Sequence, residues 1–110
     1  MRELKDSLSS VRGVMLASVD GLAISHLVQT GEANQIAAMS ATTLGLGKRV
    51  IDAIRAGSLN EVIIAGNEGP MFIYAVRDQA VLVVITGEKP NVGMIHLQAR
   101  EAAKRMAALP

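Results

Sequence analysis

Cysteine is absent from this chain. That excludes disulfides, zinc–thiolate sites and thiol nucleophiles. Tryptophan is absent too, and one phenylalanine and one tyrosine, Phe72 and Tyr74, stand alone beside it, so no platform exists on which nucleic-acid bases would stack. No sign of charge dominates: the net charge of +1 gives no footing for nucleic acid or an anionic membrane. Long apolar runs are missing as well. The run at residues 80–85, which none exceeds, falls far short of the roughly 20 residues that span a bilayer. The N-terminus M-R-E-L-K-D-S-L has no apolar secretory core. These absences predict a cytoplasmic protein with no nucleic-acid partner and no membrane insertion.

What is present is apolar surface. Half of the 110 residues are hydrophobic, and a chain of this length buries about two-thirds of its unfolded surface in one core. The expectation is a single domain over residues 1–110. So much apolar surface in a small domain points to a subunit interface.

Residues 1–10 place Met1, Leu4 and Leu8, and then Val11, at helical spacing. Residues 13–19 and 22–28 read as strands around Asp20-Gly21, a two-residue hairpin signal in which both positions favour positive φ. Thr30-Gly31 ends the hairpin, and residues 32–55 read as a helix closed by Gly57 and Ser58. Strands at 61–65, 71–76 and 80–86 follow, broken by N-E-G-P and R-D-Q. A last helix is predicted at 92–109 with Asn91 as its N-cap. The order is α-β-β-α-β-β-β-α. Short connections between successive strands imply antiparallel pairing, and strands without polar alternation imply cover on both faces. The predicted class is therefore α+β (mixed α/β), a three-layer α-β-α sandwich around a five-stranded antiparallel sheet.

T-L-G-L-G-K-R-V at 43–50 looks like a phosphate loop and fails as one. A Walker A loop needs Gly at the place held by Thr42 and Ser or Thr at the place held by Arg49, and it should follow a strand. Here the segment lies within a helix. On a helical wheel Ile36, Met39, Ser40, Thr43, Leu44, Leu46, Gly47, Val50, Ile51 and Ile54 share one wide face, assigned to the sheet, with Gly47 near its centre where the strands come closest. Gly45 points outward with Ala38 and Ala41, and Lys48, Arg49 and Asp52 continue that strip. A solvated helix gains nothing from glycine, which costs about 1 kcal/mol relative to alanine, so the small-residue strip is expected to take a second helix. In the final helix Ile95, Ala99, Ala102, Met106 and Leu109 form the apolar stripe, and Glu101 is set to pair with Arg105.

No residues assemble into a catalytic motif. His26 and His96 have no carboxylates at ligand spacing, and they read as a strand residue and a helix-surface residue. Asp20 belongs to the turn, Glu32 suits a helix N-terminus, and Asp52 has Lys48, Arg49 and Arg55 around it for surface pairing. Lys89 reads as a loop lysine, and no G-x-S-x-G elbow occurs. No catalytic residue, cofactor or metal site is expected, and the chain is read as a non-enzyme.

Three stretches carry a family resemblance: G-V-M-L-A-S-V-D-G-L-A-I-S at 13–25, A-T-T-L-G-L-G-K-R-V at 41–50, and V-L-V-V-I-T-G-E-K-P-N-V-G-M-I-H-L-Q-A-R-E-A-A-K-R-M at 81–106. In that order, with that element order, the chain resembles the Roadblock/dynein light chain family, in particular its bacterial and archaeal MglB-like members. The resemblance implies a Roadblock/profilin-like sandwich, with the central helix on one face and the terminal helices on the other. It implies a homodimer through the central helix and the third strand. Carried onto this sequence, that interface comprises Ala38, Ala41, Gly45, Lys48 and Asp52 with Glu61, Val62, Ile63, Ile64 and Ala65. It further implies a non-enzymatic regulatory or scaffold role with a small Ras-like GTPase as partner. The alternative is an assembly subunit pairing with another Roadblock-like chain in a motor or signalling complex. By charge, Arg49 and Arg55 are the candidate partner contacts.

Overall fold

The computed structural model describes residues 11–28 and 33–108. The helix expected at 1–10, the hairpin end at Thr30-Gly31, Glu32 and Leu109 lie outside the described residues. Within them are β1 (Val11–Ser18), β2 (Ala23–Val28), α1 (Ala33–Ala53), β3 (Glu61–Gly66), β4 (Gly69–Val76), β5 (Ala80–Thr86) and α2 (Val92–Ala108). The strands form one antiparallel sheet in the order β2-β1-β5-β4-β3. The predicted five-stranded antiparallel architecture, with helices on both faces, is what the chain adopts.

Each face of the sheet has its own core. Met15, Ala17, Ile73, Val81 and Val83 pack under Ala37 and Leu44 of α1. Val14, Phe72, Tyr74, Leu82 and Val84 pack under Ile95, Ala99 and Ala103 of α2. That double cover explains why β4 and β5 read as unbroken apolar runs. A register shift between Val11 and Gly13 places Val11 and Val14 in the same core layer despite their odd spacing.

Two turns differ from expectation. In the β1–β2 connection the Gly21 amide donates to the Ser18 carbonyl at 3.0 Å and the Ser18 amide to the Leu22 carbonyl at 2.9 Å. Positive φ (89°) belongs to Gly21 and not to Asp20. This is a three-residue loop, a tight turn followed by a left-handed glycine, so the first strand ends at Ser18 and the second begins at Ala23. At the end of α1, Arg55 rather than Gly57 takes the left-handed position that stops the helix. Its φ is 55°, with the Ala56 amide donating to the Ile51 carbonyl at 3.0 Å and the Arg55 amide to Asp52 at 3.1 Å, the Schellman pattern. At α2 the Asn91 cap forms as expected, its side-chain oxygen accepting from the Met94 amide at 3.1 Å.

Ser40 faces the sheet from α1, fully buried, and its hydroxyl has no hydrogen-bond partner. Its neighbours Thr42 and Thr43 donate to the carbonyls of Ala38 and Met39 at 2.9 and 2.7 Å. An unmade buried hydrogen bond costs about 1–3 kcal/mol, and alanine is the better helix former. Ser40→Ala is therefore expected to raise stability by about 1 kcal/mol, read as a higher midpoint in thermal unfolding; a lower midpoint would contradict this account.

Candidate functional site

The wide apolar face foreseen for α1 divides in two. Ala37, Ser40 and Leu44 are buried against the sheet, and Ile36, Ala41, Gly47 and Ile51 are half-buried. Met39, Leu46, Val50 and Ile54, assigned to the sheet from the sequence, are each more than half exposed. At about 100° per residue these four form their own stripe, on the flank of the buried face where Gly47 lies. A Cβ on Gly47 would stand 3.0 Å from Val62 Cγ2 and 3.2 Å from Leu59 Cδ2, so the missing side chain lets α1 settle on β3. The exposed stripe thus runs beside the line of helix that touches β3.

β3 is an edge strand: it pairs with β4 on one side and with no described strand on the other. Its run of apolar residues is not covered on both faces as the sequence suggested. Val62 is half-buried under α1, Ile63 is 50% and Ile64 45% exposed, and Ala65 is exposed. Alternation puts Ile64 on the α1 side with Val62, continuous with the stripe. An apolar edge with unpaired backbone groups is a template for another strand.

The outward strip foreseen on α1 is exposed at Ala38, Gly45, Arg49 and Asp52 and half-buried at Ala41 and Lys48. Ala38 and Gly45 are exposed on the opposite flank. The Ala38 Cα lies 3.0 Å from where a Cβ on Gly21 would stand, against the β1–β2 turn, and nothing lies within 4 Å of a Cβ on Gly45. Ala41 belongs to the core layer beneath α1. Lys48 is half-buried, while Asp52, Arg49 and Arg55 are exposed. Among the described residues Glu61 makes an ion pair with Arg100 and lies 3.5 Å from His96 Nδ1, and the pairings anticipated for Asp52 and for Glu101 with Arg105 do not form.

Glu61, counted with the dimer-interface residues on the family resemblance, has its side chain engaged within its own chain. It turns to the α2 side and meets the Arg100 guanidinium. His96 is not a surface residue: its ring stands edge-on to Phe72 at 5.3 Å and to Tyr74 at 5.9 Å. Its Nδ1 lies 2.7 Å from the Tyr74 hydroxyl and 3.5 Å from Glu61 Oε1. Burial first, and then the Glu61 carboxylate, push the Tyr74 phenol well above its ordinary range, against the opposing pull of Arg100. The phenol therefore stays protonated, and its hydroxyl shares one hydrogen bond with His96 Nδ1 whose direction follows the imidazole tautomer. His26 sits in β2 opposite Met15.

Beside this cluster a pocket of about 360 Å³ opens between β4 and the C-terminal half of α2, lined by Asn60, Tyr74, Arg77, Arg100, Lys104 and alanines. Its walls carry three cations and no carboxylate. No described group of three or more His, Cys, Asp or Glu could hold a metal ion, and no described helix is long and apolar enough to cross a membrane.

Known proteins share this architecture. A solved Roadblock/LC7 domain from Streptomyces avermitilis superposes with a TM-score of 0.88 at 19% identity, over 96% of this chain and 89% of that one. A structure of MglB in a tetrameric arrangement superposes with a TM-score of 0.87 at 16% identity, over 96% and 81%. By sequence, the uncharacterized protein MJ1340 of Methanocaldococcus jannaschii is 30% identical over 100 residues, covering 90% of this chain and 87% of the relative. The sequence model of the Roadblock/LC7 domain family matches residues 2–86. The chain belongs to the Roadblock/LC7 domain family.

Proposed function

We propose that this chain is a non-enzymatic, homodimeric regulatory or scaffold domain of the cytoplasm, working as one domain over its whole length, that binds and modulates a small Ras-like GTPase. The observation that carries the reading is the edge of β3, unpaired among the described residues, with exposed Ile64 on the α1 side beside the stripe of α1 and exposed Ile63 on the other face. Two copies related by a two-fold axis would pair Glu61–Gly66 with its twin, satisfy the edge and cover the stripe. The tetrameric arrangement described for MglB supports self-association. On α1 the proposed contact is Met39, Leu46, Val50 and Ile54, in place of the strip of Ala38, Gly45 and Asp52 on the other flank.

The GTPase reading draws its support from family membership and from the resemblance to MglB-like members. The domain would clasp the switch regions of the GTPase and bind one of their conformations more tightly, which shifts their populations without supplying a catalytic group. Arg49 and Arg55, exposed on and just beyond α1, are the contacts offered to an acidic partner surface. Pairing with a different Roadblock-like chain is the second reading, favoured by the same unpaired edge.

The test is a pull-down from lysate of the parent organism with the chain immobilised, in GDP and in a GTP analogue. A Ras-like GTPase is expected to be retained at least tenfold better in one nucleotide state than in the other. Retention of no GTPase in either state removes the GTPase reading, and retention of a second Roadblock-like chain instead favours the alternative.

A further inference from the structure

The pocket by Tyr74 carries three cations and no carboxylate among its described lining residues. Of its three cations, Arg100 is engaged by Glu61. The side chains of Arg77 and Lys104 have no ion pair or hydrogen bond among the described residues, and that of Asp78, the carboxylate next to Arg77 in sequence, makes none either. The pocket lining also includes Tyr74, Ala103 and Ala107, and apolar walls make a charge seated beside them felt more strongly than on an open polar surface.

At the other end of β3 stands an unpaired carboxylate. Glu68 is exposed in the two-residue turn between Gly66 and Gly69 and makes no ion pair among the described residues. Within one chain it cannot reach the pocket. Asn60 lines the pocket and directly precedes β3, and at about 3.3 Å per residue the strand holds Glu68 roughly 20 Å away.

A second copy brings the two together, on the dimer reading given above. If both α1 helices lie on the same side of a joined sheet, the two-fold axis is perpendicular to that sheet. Paired residues on neighbouring strands point to the same face, so the central residue must oppose itself. The middle of Glu61–Gly66 offers Ile63 or Ile64 for that place. Asn60 then faces Gly66 of the second copy in the first register and Glu68 in the second. In either case the β3–β4 turn of one copy arrives beside the pocket of the other. We infer that Glu68 of each copy enters the pocket of the other and pairs with Lys104 and Arg77, forming two symmetric charge clasps at the ends of the joined β3 strands.

Charge reversal tests this directly, with dimer dissociation followed by sedimentation over a dilution series at low and high salt. Glu68 and Lys104 are exposed, so both variants should keep the wild-type unfolding midpoint. Glu68→Lys and Lys104→Glu are each expected to weaken their homodimers about tenfold or more at low salt, because each sets like charges against each other at both clasps. An equimolar mixture of the two variants restores both clasps in a mixed dimer, which should form with near wild-type affinity. Glu88→Lys, an exposed change of the same charge elsewhere, should leave the dimer intact. Wild-type dissociation for both single variants, or no recovery in the mixture, overturns the clasp while leaving the dimer standing. A wild-type chain that stays monomeric at high concentration overturns the dimer reading and the clasp with it.

Discussion

Gly69→Ala is expected to remove a large share of the folding stability of this protein. Gly69 has φ of 143°, in a region essentially closed to residues with a Cβ. The added methyl would lie 2.3 Å from the Thr86 carbonyl oxygen and 2.7 Å from that of Gly87. Both atoms are backbone, and neither can withdraw as a flexible side chain would. Thr86 is itself fixed: its buried hydroxyl lies 3.0 Å from the Pro70 carbonyl and 3.1 Å from that of Gly87, and it can donate to either. Relief therefore means separating the starts of β4 and the end of β5, in the middle of the sheet. A cost of about 3–5 kcal/mol follows, against a total of about 5–15 kcal/mol for a domain. The unfolding midpoint should fall by roughly 15 °C or more. Gly57 is the control. It too has positive φ (89°), but nothing lies within 4 Å of its Cβ position, so Gly57→Ala should cost only about 1 kcal/mol of backbone strain. Equal shifts for the two variants would refute the clash.

The same turn shows where sequence reasoning reaches and where it stops. N-E-G-P announces a break, and the break is there, but the pairing of Gly66 with Gly69 carries the strand through Pro70, further than composition suggests. Pro70 is tolerated because it precedes Met71, the first β4 residue paired with β5, so no ladder donor is lost there. The hairpin, the two long helices, the antiparallel order and the role of Gly47 were legible because each rests on local chemistry or on a period of two or 3.6. The excess width of the apolar face of α1 was also legible in the sequence. A helix buries a stripe of about 100° against one sheet, and ten residues from Ile36 to Ile54 exceed it. Met39, Leu46, Val50 and Ile54 are that excess. The Glu61–Arg100–His96–Tyr74 cluster was not legible. Glu61 and Arg100 are 39 residues apart, and Tyr74 and His96 are 22, and no period links a strand residue to the helix that crosses it. The cationic pocket escapes for the same reason: Arg77 belongs to a turn and Lys104 to a helix, and only the fold sets them side by side.

On the dimer proposed above, the paired substitution Val50→Asp with Ile54→Asp is expected to leave a folded monomer. The two side chains are 51% and 64% exposed in the single chain, so replacing them removes little burial, and the thermal midpoint of the monomer should change little. In a dimer joined across the stripe, four carboxylates would be buried without partners. Each buried charge costs several kcal/mol, and the two-fold axis doubles every change, so dissociation should strengthen by roughly a thousandfold or more. Gly45→Leu decides between the two flanks of α1. If the stripe is the contact, a leucine at Gly45, where nothing lies within 4 Å, leaves the dimer as it was. If the small-residue flank is the contact, Gly45→Leu breaks the dimer and the aspartate pair does not. The answer also settles what remains for a partner. A dimer closed over the stripe leaves Arg49 on the outer side of α1, away from the joined stripes, open to an acidic surface on the proposed partner. A dimer closed over Ala38 and Gly45 would bring Arg49 towards its twin, and a third protein would have to bind elsewhere.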